Sequence, residues 1–124
     1  MRKILVVDDN TTVLNTIVRQ LKRQDYEVFS ASSTPEALFV YRREGPIDLI
    51  VIDIVLPERK SGYQLADTLR EGNPEQKILM ISGYPKDVID GYSKPVNSYP
   101  TLGKPFRMKE FREVIDRMLT ETAC

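Results

Sequence analysis

Histidine is absent from the 124 residues, and cysteine occurs once, as Cys124. The first absence excludes an imidazole general base, a Ser-His-Asp triad and histidine ligation of a metal. The second excludes an internal disulfide and a thiolate metal site, and agrees with a reducing, cytoplasmic setting. Excess charge of either sign is also lacking. Eighteen basic residues balance 18 acidic ones, so bulk charge argues for neither nucleic acid nor an anionic membrane as partner. The opening stretch MRKILVVDDN carries an apolar run too short for a signal peptide or a membrane span. The length fits one domain over residues 1–124. A content of 41% hydrophobic and 29% charged residues is ordinary for a globular chain.

What the sequence does contain is short apolar runs: ILVV at 4–7, LIVI at 49–52 and ILMI at 78–81. They are continuous rather than alternating, as strands buried on both faces of a parallel sheet must be. YEVFSA at 26–31 mixes polar and apolar residues, which suits a strand nearer an edge. YPTLG at 99–103 contains Pro100, which cannot donate a ladder hydrogen bond, so a short edge strand is expected. Helical spacing lies between the runs. Leu14, Ile17, Val18 and Leu21 repeat at i, i+3, i+4 and i+7, with Asn10 or Asp9 as N-cap. TPEALFVYRRE opens on Thr34 as cap and Pro35 at the first helical position. GYQLADTLREG stops at Gly72, and Phe111, Val114, Ile115 and Met118 share one face of the final segment. Strand and helix alternate five times, which predicts a doubly wound α/β domain with right-handed crossovers.

In such sheets sites form beyond the carboxyl ends of the strands. The first strand ends at Asp8-Asp9, the LIVI strand at Asp53, the ILMI strand at Ser82 and the last at Lys104-Pro105. Three carboxylates brought together call for a cation. Oxygen-only ligands point to a hard divalent ion, Mg²⁺ rather than a full Ca²⁺ cage, with Mn²⁺ as a substitute. Asp53 is placed as the nucleophile that forms an acyl phosphate. The Lys104 ammonium and the Ser82 hydroxyl are placed on the phosphoryl oxygens. A cis bond before Pro105 would fix the direction of that lysine.

These motifs, in this order and over essentially the whole chain, resemble the receiver domain of two-component response regulators. The acidic pair Asp8-Asp9, Asp53 followed by IVLP, Ser82 followed by GY, and KPF at 104–106 carry the resemblance. It implies a flavodoxin-like five-stranded parallel sheet of order 2-1-3-4-5 with five helices. It implies phosphotransfer to Asp53 from a histidine kinase or a phosphotransfer protein, with the backbone carbonyl of Val55 completing the metal site. Slow hydrolysis of the acyl phosphate then makes the domain a signalling switch rather than a turnover enzyme, acting on a downstream protein. Neither nucleic acid nor membrane is an expected contact, and a homodimer through the fourth and fifth helices fits the family.

Three features depart from the pattern. The aromatic switch position three residues before Lys104 is Thr101, so Tyr99 on the same strand face or Tyr84 substitutes, or the output surface responds differently. Gly91, Pro95 and Pro100 leave the fourth helix short or irregular. The loop LPERKSG is one residue longer than usual before its glycine. Competing readings are a flavin binder, an aspartyl phosphatase and a degenerate receiver that binds partners without phosphorylation. The acidic pair repels a flavin phosphate, and Val55 stands where the phosphatases carry their second acid. The chain is expected to be a single-domain regulator or the N-terminal piece of a longer protein.

Overall fold

Each continuous apolar run forms a strand. A computed structural model describes residues 2–53, 62–82, 101–103 and 107–120, with the backbone alone at 63, 82, 101 and 103. The strands are β1 (Lys3–Val7), β2 (Glu27–Ala31), β3 (Leu49–Asp53), β4 (Ile78–Ser82) and β5 (Thr101–Gly103). The helices are α1 (Thr11–Lys22), α2 (Thr34–Glu44), α3 (Gly62–Gly72) and α4 (Met108–Thr120). All strand pairings are parallel, in the order β2-β1-β3-β4-β5. The mixed run and the proline-containing run thus form the two edges. The described residues hold four helices. The short helix expected between β4 and β5, and the lengthened loop after Asp53, fall outside them. Among the described residues no helix is long and apolar enough to cross a membrane.

Alternation along the central strands divides the core in two. Leu5, Val7, Ile50, Ile52, Ile78 and Met80 pack against α2 and α3 through Ala37, Val40, Leu65 and Leu69. Ile4, Val6, Leu49, Val51, Leu79 and Ile81 pack against α1 and α4 through Leu14, Ile17, Leu21, Phe111 and Ile115. Every apolar residue of β1, β3 and β4 is therefore used, half on each face, which is why their sequences show no polar alternation.

The helix starts follow side-chain capping. Asn10 accepts from the Val13 amide at 3.2 Å and caps α1. At α2 the cap is Ser33 and not Thr34: Ser33 has an extended backbone (φ −153°) and its hydroxyl accepts from the Glu36 amide at 3.3 Å. Pro35 consequently sits one position deeper in the first turn. Glu36 reaches back to the Ser32 amide at 2.6 Å, which closes a reciprocal cap.

Polar groups secure the amino-terminal edge of the sheet. Asp48 accepts the Lys3 amide at 2.7 Å, and the Lys3 ammonium donates to the Glu44 carbonyl at 2.8 Å. Gln76 is buried and uses its whole amide. It accepts from the Tyr41 hydroxyl at 2.9 Å and donates to the carbonyls of Ile47 at 3.0 Å and Lys77 at 3.2 Å. Such complete satisfaction is what a buried amide requires.

Tyr26, just ahead of β2, donates its hydroxyl to Asp116 on α4. Burial, then the hydrogen bond and charge of Asp116, push the Tyr26 hydroxyl up to about 12 from 10.0, against a smaller opposing effect of Arg2. The folded state therefore holds a proton that the unfolded chain releases earlier. The resulting stabilisation is fully present below about pH 10 and is lost as pH rises through about 12. Ultraviolet titration of tyrosinate is expected to show an ionisation step near pH 12. Tyr26→Phe should remove that step and flatten the fall in urea midpoint across the same interval.

Candidate functional site

Sheet register alone brings the acidic residues together. β1 pairs with β3 so that Val7 lies beside Ile52. The next residue on each strand, Asp8 and Asp53, therefore leaves the sheet side by side, at about the 4.8 Å spacing of neighbouring strands. Both continue the parity of Val6 and Val51, toward the α1 face. One carboxylate oxygen each of Asp8, Asp9 and Asp53 lies within 4.8 Å of the other two. Asp53 is itself in register with Ile81, one residue before Ser82, and Ser82 is paired with Gly103, which Lys104 follows. Backbone pairing thus sets Asp8 beside Asp53 and ends the neighbouring strand at Ser82.

The three acids differ in surroundings. Asp8 is 1% exposed, half-buried Asp53 closes β3, and Asp9 is exposed. The Asp8 amide extends the β1–β2 ladder to the Ala31 carbonyl at 3.1 Å. Its Oδ1 accepts the Asn10 amide at 2.9 Å, a turn made by the side chain that also starts α1. One residue thus closes the strand, orients the helix cap and places a carboxylate oxygen in the acidic cluster. Two unit charges at such a separation repel by roughly 3 kcal/mol at an effective dielectric constant of about 20. The cluster is consequently a place where a cation is worth more than a hydrogen bond.

The donor set fits Mg²⁺: oxygens only, from three carboxylates, without nitrogen or sulfur. Of the other residues expected at the site, Val55, Tyr84, Tyr99, Lys104 and Pro105 lie outside the described residues. Ser82 and Thr101 are placed by backbone only, at the end of β4 and the start of β5.

Gly62, which ends LPERKSG and opens the helical segment GYQLADTLREG, is the first residue of α3. A Cβ at this position would lie 2.3 Å from the Asp53 carbonyl oxygen and 2.8 Å from Ile52 Cγ2. The amino terminus of α3 therefore presses directly on the backbone of Asp53, and only glycine permits that approach.

The response regulator receiver domain family matches residues 4–116 of the chain. The receiver protein CpdR of Brucella abortus is 29% identical over 119 residues, covering 96% of this chain and 98% of CpdR. The sensor kinase CckA of the same organism is 32% identical over 94% of this chain, which spans only 12% of that kinase. The regulatory protein PhoP of Bacillus subtilis is 33% identical over 95% of this chain, which spans 48% of PhoP. Among solved structures, the response regulator TrrA of Thermotoga maritima, in complex with Mg²⁺ and BeF, superposes with a TM-score of 0.81 at 27% identity, covering 95% of this chain and 99% of TrrA. A CheY-like receiver from Methanospirillum hungatei gives 0.82 at 27% identity, covering 96% of this chain and 94% of that one.

Two substitutions test this geometry. Asp8→Asn keeps an acceptor for Asn10 while removing one of three like charges. The urea midpoint should rise in the absence of divalent cations, and the stabilisation that Mg²⁺ gives the unsubstituted protein should fall at least about tenfold in apparent affinity. Gly62→Ala should cost about 1–3 kcal/mol in urea unfolding, because a methyl group there overpacks the Asp53 backbone. Gly72→Ala, where a Cβ meets nothing within 4 Å, is the control and should be neutral or mildly stabilising.

Proposed function

The chain belongs to the response regulator receiver domain family, and on that footing we propose that Asp53 accepts a phosphoryl group from a phosphohistidine. The donor is a histidine kinase or a phosphotransfer protein. A carboxylate oxygen of Asp53 attacks phosphorus, the phosphorus–nitrogen bond breaks with its electron pair going to the donor's imidazole nitrogen, and that nitrogen takes a proton from water. The product is an acyl phosphate that water later cleaves to return the carboxylate and inorganic phosphate. The observation that carries this reading is the convergence of Asp8, Asp9 and Asp53 at the carboxyl end of the two central strands.

Asp8, Asp9 and Asp53, with the Val55 carbonyl that the family pattern adds, would hold Mg²⁺, which when bound neutralises charge on the incoming phosphoryl oxygens. Asp8, fixed by the Asn10 amide, presents its carboxylate in one orientation. Gly62 sets the start of α3 against the Asp53 backbone. Lys104, after the residue paired with Ser82, supplies the second positive charge in this reading, and Ser82 a hydroxyl. An added group of charge near −2 then biases the loops around the rim through new hydrogen bonds. The domain acts once per phosphorylation event, as a switch toward a downstream protein.

Intact mass after incubation with acetyl phosphate and Mg²⁺ tests the reading. A labile adduct of one phosphoryl group is expected, lost in Asp53→Asn and in the Mg²⁺-free sample. No adduct from acetyl phosphate, and none from a phosphorylated histidine-kinase domain, would overturn it in favour of a binding module that works without phosphorylation.

A further inference from the structure

Asn10 stands between the acidic cluster and α1 and bonds to both. Its backbone amide donates to Asp8 Oδ1 at 2.9 Å. On its other side, its Oδ1 accepts the Val13 amide at 3.2 Å and its backbone carbonyl accepts the Leu14 amide at 2.9 Å. The bond to Asp8 closes a turn around Asp9. Two of the three clustered acids therefore take their places from a ring that one amide completes.

α1 gives that amide a fixed reference. Leu14, Ile17 and Leu21 root the helix in the core. The first turn of α1 carries no acid, and Val13 occupies the position at which α2 has Glu36, whose carboxylate reaches back over its cap. Asn10 thus caps α1 without the reciprocal bond that supports Ser33. The cap is formed with Asn10 extended, at φ −83° and ψ 104°, and φ at this residue sets the direction of its own N–H. Direction matters because Asp8 is 1% exposed. A carboxylate withdrawn from water takes its orientation from its hydrogen-bond partners, and those partners govern how well it serves a metal.

On the reading that the acidic cluster holds Mg²⁺, we propose that Asn10 is a positioning residue for the ion. Its side chain is committed to the Val13 amide and acts at a distance: it holds the Asn10 backbone, the backbone amide aims Asp8, and the turn so closed keeps Asp9 beside it. The start of α1 and the acidic cluster behave as one unit, so loosening the cap costs affinity for the ion even where the helix survives.

Heteronuclear NMR titration of the full chain with MgCl₂ reads the affinity, and urea unfolding without divalent cations reads the cap. Asn10→Ala should lower Mg²⁺ affinity about three- to tenfold, at or below the loss seen when a direct partner of a metal ligand is removed. Asn10→Ser, which keeps a capping hydroxyl, should return it to within about twofold. Asn10→Gly separates orientation from stability. Glycine caps nearly as well as asparagine but leaves the backbone free, so the urea midpoint should stay close to that of the unsubstituted chain while Mg²⁺ affinity falls as in Asn10→Ala. Gln20→Gly weakens α1 away from the cap and should lower the urea midpoint with Mg²⁺ affinity unchanged. None of these variants alters the charge at the rim. Should Asn10→Ala not fold, Asn10→Gly and Gln20→Gly decide the matter. Unchanged Mg²⁺ affinity in Asn10→Gly, or an equal loss in Gln20→Gly, overturns the role of Asn10 and leaves the metal reading intact. No response of the amides of residues 8–13 to Mg²⁺ in the unsubstituted chain overturns both.

Discussion

Water is excluded from both faces of β1 and β3, and the rest of the molecule follows from that constraint. A strand sealed on both sides tolerates no charge along its length, so its first polar residue can appear only where it leaves the sheet. β1 and β3 are neighbours because the chain passes β2 to the outer side of β1 before returning. Their exits therefore coincide, and Asp8 and Asp53 have nowhere to separate. The acidic cluster is less an ornament on the fold than a result of where apolar sequence stops.

The two ends of the sheet solve opposite problems. At the amino-terminal edge, Lys3, Asp48 and Gln76 meet complementary partners and each bond closes a local gap between elements. At the carboxyl rim, like charges are gathered against their mutual repulsion. A protein can sustain that only when the surrounding core is secure, and here both core layers converge on the strands that carry the acids. Electrostatic tension at one end is supported by satisfied contacts at the other, and a cation at the rim would relieve it.

Sequence made the strands legible because burial on two faces writes itself as uninterrupted Val, Ile and Leu. It also made Asp8, Asp9 and Asp53 legible, since each terminates such a run. Other features left no local trace. Ser33 and Thr34 are adjacent residues of equal capping ability, and only the extended backbone at Ser33 separates them. Asp48 finds its partner in Lys3, 45 residues earlier and beyond any periodic pattern. Gln76 reads as a turn residue until Tyr41 and Ile47 are seen to enclose it. Phe39 is turned outward by rotation about the helix although Ala37 and Val40 beside it are core.

The contact between Gly62 and the Asp53 carbonyl has a consequence for how this chain tolerates change in length. Asp53 and Gly62, the residues on either side of the span 54–61, are held against each other. Closure entropy grows only with the logarithm of loop length. An extra residue in that span is therefore nearly free thermodynamically, whereas an extra methyl group on its last anchor is not. The position of Asp53 is set by the sheet and by Gly62, not by the number of residues between Asp53 and Gly62.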